Sequence, residues 1–229
     1  MKESLGIVLF QLFKALDGYI NETKISEISG IIQNFAIAAA VAGVVSGMVP
    51  GLAAVIAMLT QTGLVWATYV KINKTLGISM KENTAKFIGS AIVTNIALNA
   101  GTVIVAYATS LILSFIPVVN HLVTATIDGV MGFIIVYVAA IIYLKLIVRL
   151  VKPDGTIEID ESEDTKEIIK EIVKESDLKE LIKEGKDEFK KAKADGLIDK
   201  AKKNPKCPNC GADIQLDQAF CSKCGIKLK

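Results

Sequence analysis

ISGIIQNFAIAAAVAGVVSGMVPGLAAVIAMLTQTGLVWATYV, residues 28–70, carries no charged side chain. At roughly forty residues it is about twice the length that one membrane-crossing helix requires. Pro50-Gly51 divides it near the middle. Proline disfavours helix at the residue before it, and glycine tolerates the turn that follows. The stretch therefore predicts a helical hairpin, with one span over residues 31–49 and another over 52–72. Lys71, Lys74, Lys81 and Lys86 follow in a polar connector, and a second hairpin is expected over 87–115 and 118–151, with Pro117 at its apex. Between Phe87 and Leu144 the only charged residue is Asp128.

The bulk numbers conceal this segregation. Over 229 residues, 52% are apolar and 22% charged, with a mean hydropathy of +0.46. One part reads as lipid-facing or deeply buried, and the part after residue 152 as solvated. A net charge of +2 supplies no global field that would argue for nucleic acid. The expected organisation is an N-terminal amphipathic helix (1–27), a helical membrane domain of about four spans (28–152), an acidic linker (153–164), a charged helical stalk (165–204) and a small metal module (205–229). The fold class is thus an all-α membrane domain of two helical hairpins with a short metal-organised C-terminus.

Within 4–20, Leu5, Val8, Leu9, Leu12, Phe13, Leu16, Tyr19 and Ile20 fall on one helical face. That face suits a helix lying on a membrane surface, or one covering a helical bundle. No small-residue cleavage site follows it, so a removed signal peptide is not expected. In the stalk, Ile168, Ile169, Ile172, Val173, Leu181, Ile182 and Phe189 make an intermittent apolar stripe that Gly185 and Gly196 interrupt. Lysines cluster in the N-terminal segment, the connector and the region after Leu144, while the hairpin tips carry none. The positive-inside rule then places both termini in the cytoplasm. A soluble all-helical domain with unusually apolar helices is the alternative.

All four cysteines lie near the C-terminus, as Cys207-Pro-Asn-Cys210-Gly and Cys221-Ser-Lys-Cys224-Gly. Each Cys-x-x-Cys-Gly is a tight turn that brings two thiolates to one point, and Gly211 and Gly225 permit the left-handed backbone such turns commonly use. Four thiolates fill the tetrahedral shell of one zinc ion and leave no position for water, so the expected metal is structural, not catalytic. Ile214, Leu216, Phe220 and Ile226 are the candidate core around it. An iron site would accept the same ligands; a redox dithiol lacks its βαβ context here. This segment resembles the zinc-ribbon family over about residues 205–228. Lys200, Lys202, Lys203, Lys206, Lys223, Lys227 and Lys229 make the tail basic, which permits nucleic acid or anionic lipid contact, but Phe220 alone offers no stacking platform.

Within the apolar domain, Asp128 is a candidate intramembrane or interfacial polar site. Asn95 and Asn99, one turn apart, and Gln61 suit interhelical hydrogen bonds more simply than a transport path. Gly43 and Gly47 have the small-xxx-small spacing of close helix packing, which permits a homo-oligomer. His121, just beyond Pro117, reads as a wet loop residue. No nucleotide loop, nucleophile elbow or paired catalytic carboxylates occur, so no enzyme is expected.

Residues 35–150 also resemble YcjF-type inner-membrane proteins, a family of unknown function fused in some members to GTPases. The carrying residues are Gly47-Met-Val-Pro50-Gly51-Leu-Ala-Ala, Thr68-Tyr69-Val70, Leu76-Gly77-Ile78, Ile116-Pro117 and Thr124-Ala-Thr126 with Gly129. The resemblance implies a helical membrane-associated domain and a GTPase partner, which would act in trans because this chain encodes none. The expected function is a non-enzymatic multi-pass membrane protein that presents a cytoplasmic zinc ribbon to a protein partner. An oligomeric channel built from the two hairpins, and a soluble protein that inserts only conditionally, are the alternatives.

Overall fold

The computed structural model describes residues 4–16, 19–46, 53–115, 122–152, 154–203, 205–207, 209–215 and 218–226, with side chains described except at 44–46, 53–62, 106–115 and 122–128. Gly47, Pro50, Pro117, His121 and Leu216 lie outside the described residues, as do the side chains of Asp128 and Gln61. The order is α1 (Leu5–Ala15), α2 (Glu22–Ser46), α3 (Ala53–Leu76), α4 (Glu82–Phe115), α5 (Leu122–Leu150), α6 (Glu163–Glu175), α7 (Leu178–Ala194) and α8 (Leu197–Lys203). Among the described residues there is no strand, only two isolated bridges.

The two hairpins form α2–α3 and α4–α5. The Thr75 hydroxyl donates to the Glu27 carboxylate at 3.0 Å, which sets α2 antiparallel to α3. The Tyr69 hydroxyl donates to the Ala139 carbonyl at 3.0 Å, and Tyr143 donates to Asn73 Oδ1 at 2.6 Å. This constant offset makes α3 and α5 parallel. Their tyrosine rings stack with centroids 4.0 Å apart. Because these hydroxyls are satisfied, the aromatic payload is buried without an orphan polar group.

Among the described residues, three helical windows are long and apolar enough to cross a membrane: Glu22–Gly43, Glu82–Val105 and Gly129–Leu150. They differ in what surrounds them. The Gly129–Leu150 window is 83% buried inside the protein, against 44% and 33% for the other two. The isoleucine face of α4 (Ile88, Ile92, Ile96 and Ile104) is buried, and its open face mixes Ser90, Thr94, Asn99 and Thr102 with Leu98, 79% exposed, and Val105, 46%.

The cover over α5 comes from the charged segment, and here the architecture departs from a stalk. Helices α6 and α7 fold back along α4 and α5, and α8 lies against α2. Ile169, Ile172, Val173, Leu181, Ile182 and Phe189 are all buried, so the intermittent stripe is a packing face. Gly185 does not interrupt the helix. It sits inside α7, where an added Cβ would come within 3.3 Å of the Tyr137 ring and 3.7 Å of the Ile134 backbone. The missing side chain is what lets α7 lie close on α5. Phe189 then meets Phe133 edge-on at 5.5 Å between centroids. Gly196 does mark a break, in the left-handed conformation (φ 67°) between α7 and α8.

Local signals explain the starts of α6 and α7. Ser162 caps α6 through Thr165 N–H, and Asp177 caps α7 through Glu180 N–H at 3.1 Å. The acidic linker is not loose over its first residues: Val151 bridges to Ile157, and the Tyr19 hydroxyl donates to the Asp154 carbonyl at 2.7 Å. Arg149 pairs with Glu171 and Glu175, which ties the end of α5 to α6. Of the two roles open to α1, the structure shows the bundle role. Val8, Leu9 and Leu12 are buried, and Leu5 N–H donates to Glu184 of α7 at 3.1 Å.

Candidate metal centre

Two matching knuckles build the site. Gly211 N–H donates to the Cys207 carbonyl and Gly225 N–H to the Cys221 carbonyl, both at 2.8 Å. Both glycines take positive φ, 72° and 71°. Each knuckle then closes on the next residue, with Cys207 N–H to Ala212 and Cys221 N–H to Ile226, again both at 2.8 Å. Lys206 bridges antiparallel to Asp213 and pairs with its carboxylate.

All four sulfurs lie within 4.8 Å of one another. Cys207 and Cys224 are 3.6 Å apart, Cys210 and Cys221 3.7 Å. A tetrahedron with zinc–sulfur bonds of ~2.3 Å has edges of about 3.8 Å, so the spacing fits the ion. It is far too long for disulfides, whose sulfurs sit ~2.05 Å apart. Residues 206–228 match the model of the zinc-ribbon domain. The ribbon holds one structural zinc ion, with Cys207, Cys210, Cys221 and Cys224 as its ligands. No curated protein and no solved structure matches the chain. No family match or homologue supports the resemblance to YcjF-type proteins.

The electrostatics of the four sulfurs are uneven. Burial, offset only in part by backbone N–H groups, pushes the Cys207 thiol up to about 12. Burial also raises Cys224, but the Ile226 N–H, the Asn209 amide and the neighbouring sulfurs outweigh it and bring this thiol down to about 6. A cation at the centre removes the remaining protons, because only the thiolate is a ligand.

Asn209 is the ribbon residue that the spacing argument missed. Its amide donates to Cys224 Sγ at 3.5 Å, and its carbonyl accepts from the Lys71 ammonium at 3.2 Å. Zinc and the helical domain are thus joined through one side chain and one peptide group, and Lys71, read only as a connector charge, positions the ribbon. The expected ribbon core is partly corrected. Ile214 and Ile226 pack against the cysteines together with Ala212, but Phe220 points outward at 57% exposure.

Asn95 and Asn99 are not drawn into this site. Asn95 and Asn99 donate to the Ala91 and Asn95 carbonyls, at 2.9 and 2.7 Å, one turn back in their own helix. Among the described residues, neither amide reaches a neighbouring helix. The backbone of Asp128 stands in the second turn of α5. Gly43 is buried on α2.

Proposed function

We propose that this chain is a non-enzymatic integral membrane protein, anchored by the uncharged ends of its two hairpins, that carries a docked zinc ribbon on the cytoplasmic side for a protein partner. The carrying observation is α7 lying along α5. Its outer residues Lys179, Lys183, Asp187, Lys190 and Lys191 are exposed over the most apolar helix of the chain. Five charges in hydrocarbon, at ~2.5–3.5 kcal/mol each, would cost more than about 12 kcal/mol. Water, not lipid, therefore suits this side of the bundle.

What remains for the bilayer are residues 44–62 and 106–127, which carry no charge. They continue from Gly43, Gly63, Val105 and Asp128, which the helix directions bring to one end of the bundle, so that Asp128, the one charge between Phe87 and Leu144, stands at the edge of the anchor. The opposite end carries the lysines of the connector, in keeping with a cytoplasmic location for both termini. A closed four-thiolate shell offers no open coordination position, so the ribbon acts by presenting a surface. Exposed Phe220 is the natural anchor for a protein partner. A GTPase acting in trans is one partner that the YcjF-type resemblance suggests.

A second reading has the hairpins crossing the bilayer fully, in a multi-pass arrangement. The mean hydropathy of 2.5 over Gly129–Leu150 favours it, and it requires α7 to leave α5. Carbonate washing of membranes tests the shared part of both readings. The protein should stay in the pellet; release into the supernatant would remove the membrane anchor from the account.

A further inference from the structure

We propose that the groove between α2, α8 and the zinc ribbon binds one long acyl chain bearing an anionic head group. Its volume is about 670 Å³, inside the range of small-molecule sites. One wall is α2 from Glu27 to Ala42, about 22 Å of helix at 1.5 Å per residue. A single leaflet's acyl chain spans ~15 Å, half of the hydrocarbon thickness, which leaves room for a head group at the end.

The chemistry of the walls divides in the same way. Ile31, Ile37, Val41 and Leu64 line the groove with little of their own surface exposed. From the opposite side come Leu197 and Ala201 of α8 and Ile214 of the ribbon. The cations Lys71 and Lys200 border it, with Lys206 beside them already paired to Asp213, and among the described lining residues Glu27 is the one carboxylate. Lys71 gives one N–H to Asn209, and an ammonium group has two more to offer an anion. Among the described residues no aromatic ring lines the groove. A nucleotide would therefore find no stacking surface and would leave the apolar floor unfilled, whereas a fatty carboxylate or an anionic phospholipid satisfies both parts. The source of the chain rests on the membrane-anchored reading; the groove itself does not.

The test uses full-length, zinc-loaded protein in phosphatidylcholine nanodiscs, titrated with a dansyl-labelled fatty acid and displaced by oleate or oleyl alcohol. One probe per chain should bind, and oleate should displace it at least tenfold better than the uncharged alcohol. Ala38→Phe narrows the groove at a half-buried position of α2 and should weaken oleate at least tenfold. Lys200→Glu, at an exposed position, should erase most of the preference for oleate over the alcohol. Non-saturable uptake, or equal affinity in wild type and a folded Ala38→Phe, would overturn the proposal. If Ala38→Phe fails to fold, Lys200→Glu decides: an unchanged oleate preference overturns it. A second arm replaces part of the nanodisc lipid with phosphatidylglycerol. Displacement of the probe by that lipid supports the site with phospholipid as the source. Displacement by oleate alone supports it with free fatty acid. A chain that carbonate extracts but that still binds oleate in an Ala38-dependent way keeps the site and loses only the anchor.

Discussion

Replacing Cys207 with serine, or stripping the metal with a strong chelator, should unfold residues 205–226 and leave helices α1–α7 in place. Without the ion, the described core of the ribbon reduces to the cysteines with Ala212, Ile214 and Ile226, too little to hold so short a segment. Structural zinc contributes ~10–16 kcal/mol of apparent binding energy in modules of this kind. Metal analysis should give one zinc per chain in the wild type and close to none in Cys207→Ser. Trypsin should then cut after Lys206 and Lys223, sites that the folded ribbon holds. Losing the knuckle also removes the Lys71–Asn209 contact, so the ribbon leaves the helical domain. The pH dependence follows in sign. Protons compete with zinc for each thiolate, so apparent affinity falls as pH is lowered. The drop should steepen below about 6, where Cys224 also takes up a proton. A ribbon that stays protected without metal would contradict this account.

Phe133→Ala should destabilise the helical domain by about 3–5 kcal/mol, as deletion of a buried phenylalanine does in a packed core. Phe133 is 1% exposed and faces Phe189 edge-on, so the loss leaves a cavity that α7 cannot fill without moving. Were this side of α5 bathed in lipid, an acyl chain would fill the space and the change would be nearly neutral. Gly185→Leu attacks the same interface from the other helix and should cost about 1–3 kcal/mol through overpacking. Thermal unfolding, with proteolysis of α7 as a second readout, measures both. A Phe133/Phe189 double-mutant cycle should show coupling of ~0.5–1.5 kcal/mol. Zero coupling would mean that the two rings do not meet.

The zinc ligands were fully legible in the sequence, because cysteine spacing encodes knuckle geometry directly. Helices α2 to α5 were legible too, from the uncharged runs and the prolines between them. What covers α5 was not. An all-round apolar helix suits a protein core and a bilayer equally, so residues 129–150 carry no sign of which they meet. The stripe through Ile169, Ile172, Leu181 and Phe189 announced a buried face without naming its partner. Gly185 misled in the usual way: glycine lowers helix propensity by about 1 kcal/mol, and the same missing side chain permits close approach. Asn95 and Asn99 read as cross-helix donors because sequence spacing cannot tell a neighbouring helix from the carbonyl one turn back.

The central claim is that the bundle stands in water beside α7 and only the hairpin ends enter the bilayer. The chain's single tryptophan reports on it directly. Trp66 lies on α3, within the expected span 52–72, yet the Lys86 ammonium sits over its ring at 4.7 Å from the centroid. The measurement is Trp66 fluorescence of the wild-type protein in bilayers of brominated-acyl lipid, with Trp66→Phe/Leu59→Trp and Trp66→Phe/Leu113→Trp as hairpin-end reporters. Trp66 should escape quenching while the reporters at 59 and 113 are strongly quenched. Strong quenching of Trp66 itself would place α3 in hydrocarbon along its length and contradict the account.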